Sequence, residues 1–201
     1  DDVYLVGGGD PVLMTRNYAQ GFRPPLSTRT AIEDLAAAVA DAGVVRIDGG
    51  VIAIERRYDD QRSLPGWPDA IAEAGIVGPL TALQLDDGFA ERAAANLGIA
   101  VPAEQPAGQA AGRFIDELEQ LEIEVFGTNR VLGADEELPT LVPVARLSSP
   151  PVADIVFQML AVNDASAAEL IMKELGVATS GDGSKIGRAS LGKECRSRWS
   201  P

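Results

Sequence analysis

The chain contains no histidine. That excludes histidine-ligated metal centres and the Ser-His-Asp and Cys-His catalytic pairs. Cysteine is nearly absent too. Cys195 stands alone, so neither an internal disulfide nor a cysteine-cluster zinc site can form. No run reaches the ~18 consecutive apolar residues of a membrane-spanning helix. Positive charge is scarce: 17 Lys and Arg against 30 Asp and Glu give a formal charge of -13. Nucleic-acid binding needs a basic face to meet phosphates, so that class is set aside. Hydrophobic residues at 46% exclude a disordered chain, and 201 residues allow one fair-sized domain or two small ones.

The charge is unevenly placed. Residues 184–201 carry a net +4, from Lys185, Arg188, Lys193, Arg196 and Arg198 against Glu194 alone. Residues 1–183 therefore carry -17. Such a break reads as a linker, a vector remnant or an altered reading frame, with a native basic extension as the competing reading. The chain opens on Asp1-Asp2-Val3 with neither a start methionine nor a signal peptide, and reads as a piece of a longer protein.

Apolar periodicity supplies the elements. Val3–Val6 reads as a strand stopped by Gly7-Gly8-Gly9-Asp10-Pro11. Thr30-Ala31-Ile32-Glu33 has the form of a capping box, and Ile32, Leu35, Ala36 and Val39 follow at helical spacing until Gly43. Residues 44–55 read as two strands, or one bulged strand, around Asp48-Gly49-Gly50. Residues 58–79 should be mostly irregular. Leu80–Leu85 reads as a strand closed by Asp86-Asp87-Gly88, and residues 89–97 as a helix or a coil with one turn. Gly108–Leu121 is a clear amphipathic helix through Ala111, Phe114, Ile115, Leu118 and Leu121.

Ile123–Phe126 and Leu141–Leu147 are strand candidates, the second at an edge because of Pro143. Ser149 should cap a helix whose buried face is Val152, Ile155, Val156 and Met159. Asn163-Asp164 breaks the pattern. A second helix runs through Ala168, Leu170, Ile171 and Leu175 to Gly176. Strands interleaved with helices, then two helices together, indicate a mixed α/β protein.

Isolated motifs are weak. Gly7-Gly8-Gly9 lacks the spacing of a phosphate loop, and Gly181-Asp182-Gly183-Ser184-Lys185 lacks a correctly placed first glycine. Asp59-Asp60 and Asp86-Asp87 are paired loop acids without calcium-loop spacing, read as solvated turns. Glu117, Glu119, Glu122 and Glu124 read as a wet helix end and strand edge. Without histidine, nucleophilic chemistry must be of the serine-lysine kind. The single S-x-x-K, Ser190-Leu191-Gly192-Lys193, lies in the basic tail with glycine inside it and reads as coincidence. The same holds for Lys185-Ile186-Gly187. Neither metal nor cofactor is expected.

Three segments together carry a resemblance: Leu5 to Pro11 (LVGGGDP), Val44 to Gly49 (VVRIDG) followed by Gly66-Trp67-Pro68, and Ser149 to Gly176 (SPPVADIVFQMLAVNDASAAELIMKELG). Their order resembles the D-alanyl-D-alanine carboxypeptidase/endopeptidase family of serine penicillin-binding proteins, the S13-like, class C type. The resemblance covers roughly residues 1–183. It implies an inserted α+β domain over 1–147, then a two-helix piece of a transpeptidase/β-lactamase-like domain over 148–183. The tail, 184–201, falls outside the pattern.

The resemblance also implies an exported, cell-wall setting and action on peptidoglycan stem peptides through an acyl-serine. The family's S-x-N motif falls on Asn163, Asp164 and Ala165. Asparagine replaces the serine that helps move protons, and alanine replaces the asparagine that holds the substrate amide. Asp164, Ala168 and Glu169 match the pattern in a structural sense. No catalytic motif is intact, so the chain is expected to be inactive by itself. The alternative from another class is a non-catalytic scaffold that binds peptidoglycan or a cell-wall protein.

Overall fold

Strand β5 (Val51–Ile54) is buried at every residue, as expected of a central strand in a parallel sheet. In this computed structural model, which describes residues 1–63, 77–92, 100–181 and 183, β5 lies between β1 (Val3–Val6) and β9 (Arg130–Val131). Both pairings are parallel, with Val3 opposite Val51 and Ile52 opposite Arg130. Side chains alternate across the sheet. Leu5, Val51 and Ala53 face one cluster, whereas Ile52 and Ile54 meet Leu132, Tyr4 and Leu141 on the other side.

Two helices cover the first face. Helix α2 (Ile32–Asp41) contributes Ile32, Ala36 and Val39. Helix α3 (Pro106–Gln120) contributes Ala107, Ala110, Ala111, Phe114 and Leu118. Small alanines let α3 approach the sheet while Phe114 and Leu118 fill the space beyond it. Both helices were legible from spacing, and Gly43 takes a positive φ of 86° just beyond α2.

The capping box does not form. Thr30 and Ala31 make strand β3, which pairs in parallel with β2 (Leu13–Met14), so Thr30 is committed to a ladder. The Glu33 carboxylate instead accepts from the Arg16 N–H at 2.7 Å, next to α1 (Arg16–Gln20). Residues 44–55 do form two strands, in different ladders. β4 (Arg46–Ile47) pairs with β8 (Glu124–Val125), while β5 enters the main sheet. Gly50 sits at the split, where a Cβ would lie 2.0 Å from the Thr128 carbonyl oxygen.

Three strand or helix expectations are corrected. Leu80–Leu85 is buried but not a strand, because its backbone bonds to loops and side chains: Leu80 N–H to Arg62 O, Gly9 N–H to Ala82 O, and Thr81 N–H to Gln84 Oε1. Residues 89–92 form β6 (Phe89–Arg92), antiparallel to β7 (Ala100–Pro102), rather than a helix; 93–99 lie outside the described residues. Leu141–Leu147 pairs with nothing as a strand, and the sheet edge is β9 instead.

The chain ends its described part in a helical hairpin, α4 (Val152–Val162) and α5 (Ala165–Ser180). Pro151, not Ser149, occupies the N-cap of α4, without a side-chain cap. Ile155 is buried among Val12, Met14, Ala19 and Leu26, but Val152 is exposed and Gln158 takes its expected place inside. Gly176 is buried within α5, which continues to Ser180 and stops at Gly181 with φ 73°. Leu170 packs with Tyr58, Val77, Leu80 and Ala82, so the hairpin shares apolar clusters with the preceding part of the chain.

Candidate functional site at the helical junction

Asn163, Asp164 and Ala165 form the turn between α4 and α5. Asn163 closes α4 in the left-handed conformation (φ 55°, ψ 49°), which asparagine tolerates better than most residues. Asp164 opens α5 as its N-cap, its carboxylate accepting from Ala167 N–H at 2.9 Å. The Asp164 N–H returns to Met159 O at 2.9 Å. This agrees with the structural role read for Asp164 in the sequence. Ala165 is half-buried beside the Leu170 cluster and offers only a methyl group. The turn therefore presents one carboxamide, on Asn163, and no hydroxyl at these three positions.

Polar anchors hold each helix of the hairpin. On α4, the Gln158 side chain brackets Thr28: Oε1 accepts from Thr28 N–H at 2.9 Å, and Nε2 donates to Thr28 O at 2.7 Å. On α5, Lys173 is 1% exposed, pairs with Asp59, and lies 5.5 Å from the centroid of the Tyr58 ring. Glu174 accepts from Arg57 at 2.5 and 2.8 Å and from the Tyr58 hydroxyl at 2.6 Å. Burial, then the bond to Glu174, pushes the Tyr58 pKa well up, so the phenol stays a donor. Burial would raise the Glu174 pKa, but the hydrogen bonds from Arg57 and Tyr58 outweigh it and hold it below its ordinary value. Asp59 is thus an ion-pair partner rather than a solvated turn acid.

These anchors were not read from the sequence. The available signal was register: Ala167, Leu170 and Lys173 recur at helical spacing on the buried side of α5, so the lysine occupies an apolar stripe.

A second polar cluster corrects the other acid pair. Asp86 and Asp87 are not solvated: Asp87 is buried, and both have positive φ, 53° and 58°. Asp86 accepts from Thr15 N–H at 2.7 Å and from the Thr15 hydroxyl at 3.1 and 3.2 Å. The Tyr18 hydroxyl donates to Asp87 at 2.6 Å. Burial raises the Asp86 pKa to about 6, against the lowering by Thr15. Glu119, Glu122 and Glu124 are exposed and Glu117 half-buried, as read.

A groove of about 430 Å³ along α3 is lined by Gln105, Gly108, Gln109, Gly112, Arg113 and Asn129, among others, and by none of the residues singled out for chemistry. Among the described residues, no group of three or more Cys, Asp or Glu is placed to hold a metal ion. None of their helices is long and apolar enough to cross a membrane. Ser190–Lys193, Lys185–Gly187, Cys195 and the Gly66-Trp67-Pro68 segment lie outside the described residues, as does most of Gly181–Lys185.

Comparison with known proteins places this geometry in context. The model of the D-Ala-D-Ala carboxypeptidase 3 (S13) family matches residues 1–98. Over those 98 of the 201 residues, the chain is similar to the S13 family. Its fold is similar to the crystal structure of penicillin binding protein 4 from Haemophilus influenzae, with a TM-score of 0.74 at 13% identity. The match covers 98% of this chain and 53% of that one, so this chain spans about half the length of the solved protein. No curated protein sequence matches. The S13-like segment includes β1, the Gly7–Pro11 turn, α2 and β5, and the 163–165 turn lies beyond the residues the family model matches.

Proposed function

We propose that this chain derives from a serine-type D-alanyl-D-alanine carboxypeptidase of the exported, cell-wall setting, whose substrates are peptidoglycan stem peptides, and that by itself it forms no acyl-enzyme. The observation that carries this reading is the α4–α5 turn. By the sequence resemblance the family's S-x-N falls on this turn, which holds Asn163, Asp164 and Ala165, with Asp164 engaged in capping α5. A carboxamide at Asn163 cannot relay a proton as a hydroxyl does, and Ala165 cannot bond a substrate amide. The S-x-x-K tetrapeptide occurs once in the 201 residues, at Ser190–Lys193, and K-T-G does not occur.

Incubation with a fluorescent penicillin tests the reading. The expected result is no covalent label on the folded chain. A labelled serine, Ser190 included, overturns it. Sedimentation with purified peptidoglycan, without labelling, would favour the scaffold role over descent into inactivity.

A further inference from the structure

One side of α3 is built differently from the side that meets the sheet. Gln105, Gly108, Gln109, Gly112, Arg113 and Asp116 recur at helical spacing and line the groove of about 430 Å³. Ala90 of β6 and Asn129, just before β9, complete its lining. Glycine inside a helix weakens it relative to alanine. Packing does not demand glycine at either position here. A Cβ at Gly108 would lie 3.4 Å from Gln105 Oε1, and one at Gly112 would lie 3.6 Å from Asn129 Nδ2, both ordinary contacts. Neither glycine has a left-handed φ. Gly50 is the contrast, since a Cβ there would collide with the Thr128 carbonyl. What Gly108 and Gly112 provide is open space, in which a ligand main chain can approach the helix closely.

The carboxamides beside this space are held in place. Asn129 Nδ2 donates to Gly108 O at 2.7 Å, and Gln109 Nε2 donates to Phe89 O at 2.8 Å. Gln109 Oε1 is buried and has no donor among the described residues. A buried acceptor left unpaired points to a donor that the chain itself does not supply. Arg113 and Asp116 lie 3.4 Å apart and are both about half exposed, so the groove offers one cation and one anion.

We propose that this groove binds a short zwitterionic peptide in extended form and does not cleave it. Carboxamides match peptide groups, because each carries a donor and an acceptor. Arg113 receives the carboxylate and Asp116 the ammonium group. Among the lining residues there is no aromatic ring on which a sugar could stack, and no aliphatic side chain beyond the Ala90 methyl for an apolar ligand. There is also no serine, cysteine or lysine, hence no nucleophile of the serine-lysine kind. That the peptide is a peptidoglycan stem peptide rests on the carboxypeptidase-like reading, whereas the site itself does not.

The test titrates the whole 201-residue chain with a stem tetrapeptide freed of its sugar, followed by calorimetry and amide NMR. Shifts are expected at Gly108, Gly112 and Asn129 and not at Ala167. Gly112→Ala should raise the melting temperature, because alanine favours helix, yet cut affinity about tenfold, because its methyl group enters the groove. Arg113→Gln should cut affinity for the free acid about tenfold and leave that for the peptide with its carboxylates amidated unchanged. No binding, shifts confined to other residues, or a Gly112→Ala variant that binds like the parent overturns the inference. Equal binding of tetra-L-alanine at the same residues supports the site and fails its link to the cell wall. Penicillin labelling of the chain fails the functional reading and leaves the titration standing, so the two failures are distinguishable.

Discussion

The ammonium group of Lys173 is buried and its ionic partner is Asp59, on a loop more than a hundred residues earlier in the chain. The pair ties α5 to the segment that follows β5, beside the Tyr58 ring. The partners are unequally exposed: the lysine side chain is 1% accessible and the aspartate 24%.

That asymmetry makes the two single substitutions unequal. Asp59→Asn leaves a buried ammonium without its counter-charge and should cost about 3 kcal/mol or more. Lys173→Met keeps the aliphatic volume and leaves a carboxylate that can reach water, so its cost should be about 1 kcal/mol. Urea unfolding of both variants checks the order. Equal losses would mean that the pair is not what holds α5.

Asp86 makes stability depend on pH. Its ordinary value is 3.8, and burial raises it to about 6 in the folded chain. Between those values the folded state binds more protons than the unfolded one. The contribution of the protonated carboxyl is therefore fully present below about pH 4 and is lost as pH rises through 6, on the order of 3 kcal/mol. Asp86→Asn retains an oxygen to accept from Thr15 N–H and should remove this slope, unfolding at higher urea than the parent at pH 7. Urea midpoints from pH 3.5 to 7.5 decide it. A parallel slope in the variant would assign the effect to other acids.

Asp164 should behave as a cap. Asp164→Ala removes the acceptor for Ala167 N–H and should cost about 1 kcal/mol, with faster hydrogen exchange at that amide. Asp164→Ser should restore most of the loss. If exchange at Ala167 is unchanged in the alanine variant, the carboxylate does not cap the helix.

How far the fold could be read from the sequence varies by element. Helix α3 was plain because Ala111, Phe114 and Leu118 recur on one face and are buried there. Leu80–Leu85 shows where periodicity stops. Its apolar residues are inside as expected, yet its backbone groups bond to Arg62 O, Gln84 and Gly9 instead of a neighbouring strand. Thr30 and Glu33 had capping-box spacing, but the Thr30 backbone is held in the ladder with β2, its hydroxyl caps nothing, and Glu33 accepts from Arg16 N–H instead.

The break at Asn163-Asp164 was visible, because polar residues interrupt two apolar periods. The left-handed φ of Asn163 and the burial of Asp87 were not, since the same short acids and amides also suit exposed turns.

Composition and periodicity sufficed for the exclusions and for much of the alternation of strand and helix. No histidine can be supplied by folding, and a 3.6- or 2-residue period marks which side of an element must leave water. Tertiary structure alone decided what covers that side. It paired Lys173 with Asp59 and Gln158 with Thr28, and it left Phe157 and Leu160 bare. The reason is physical: periodicity records a demand for burial along one element, whereas a partner is set by which distant segments the chain brings within contact distance.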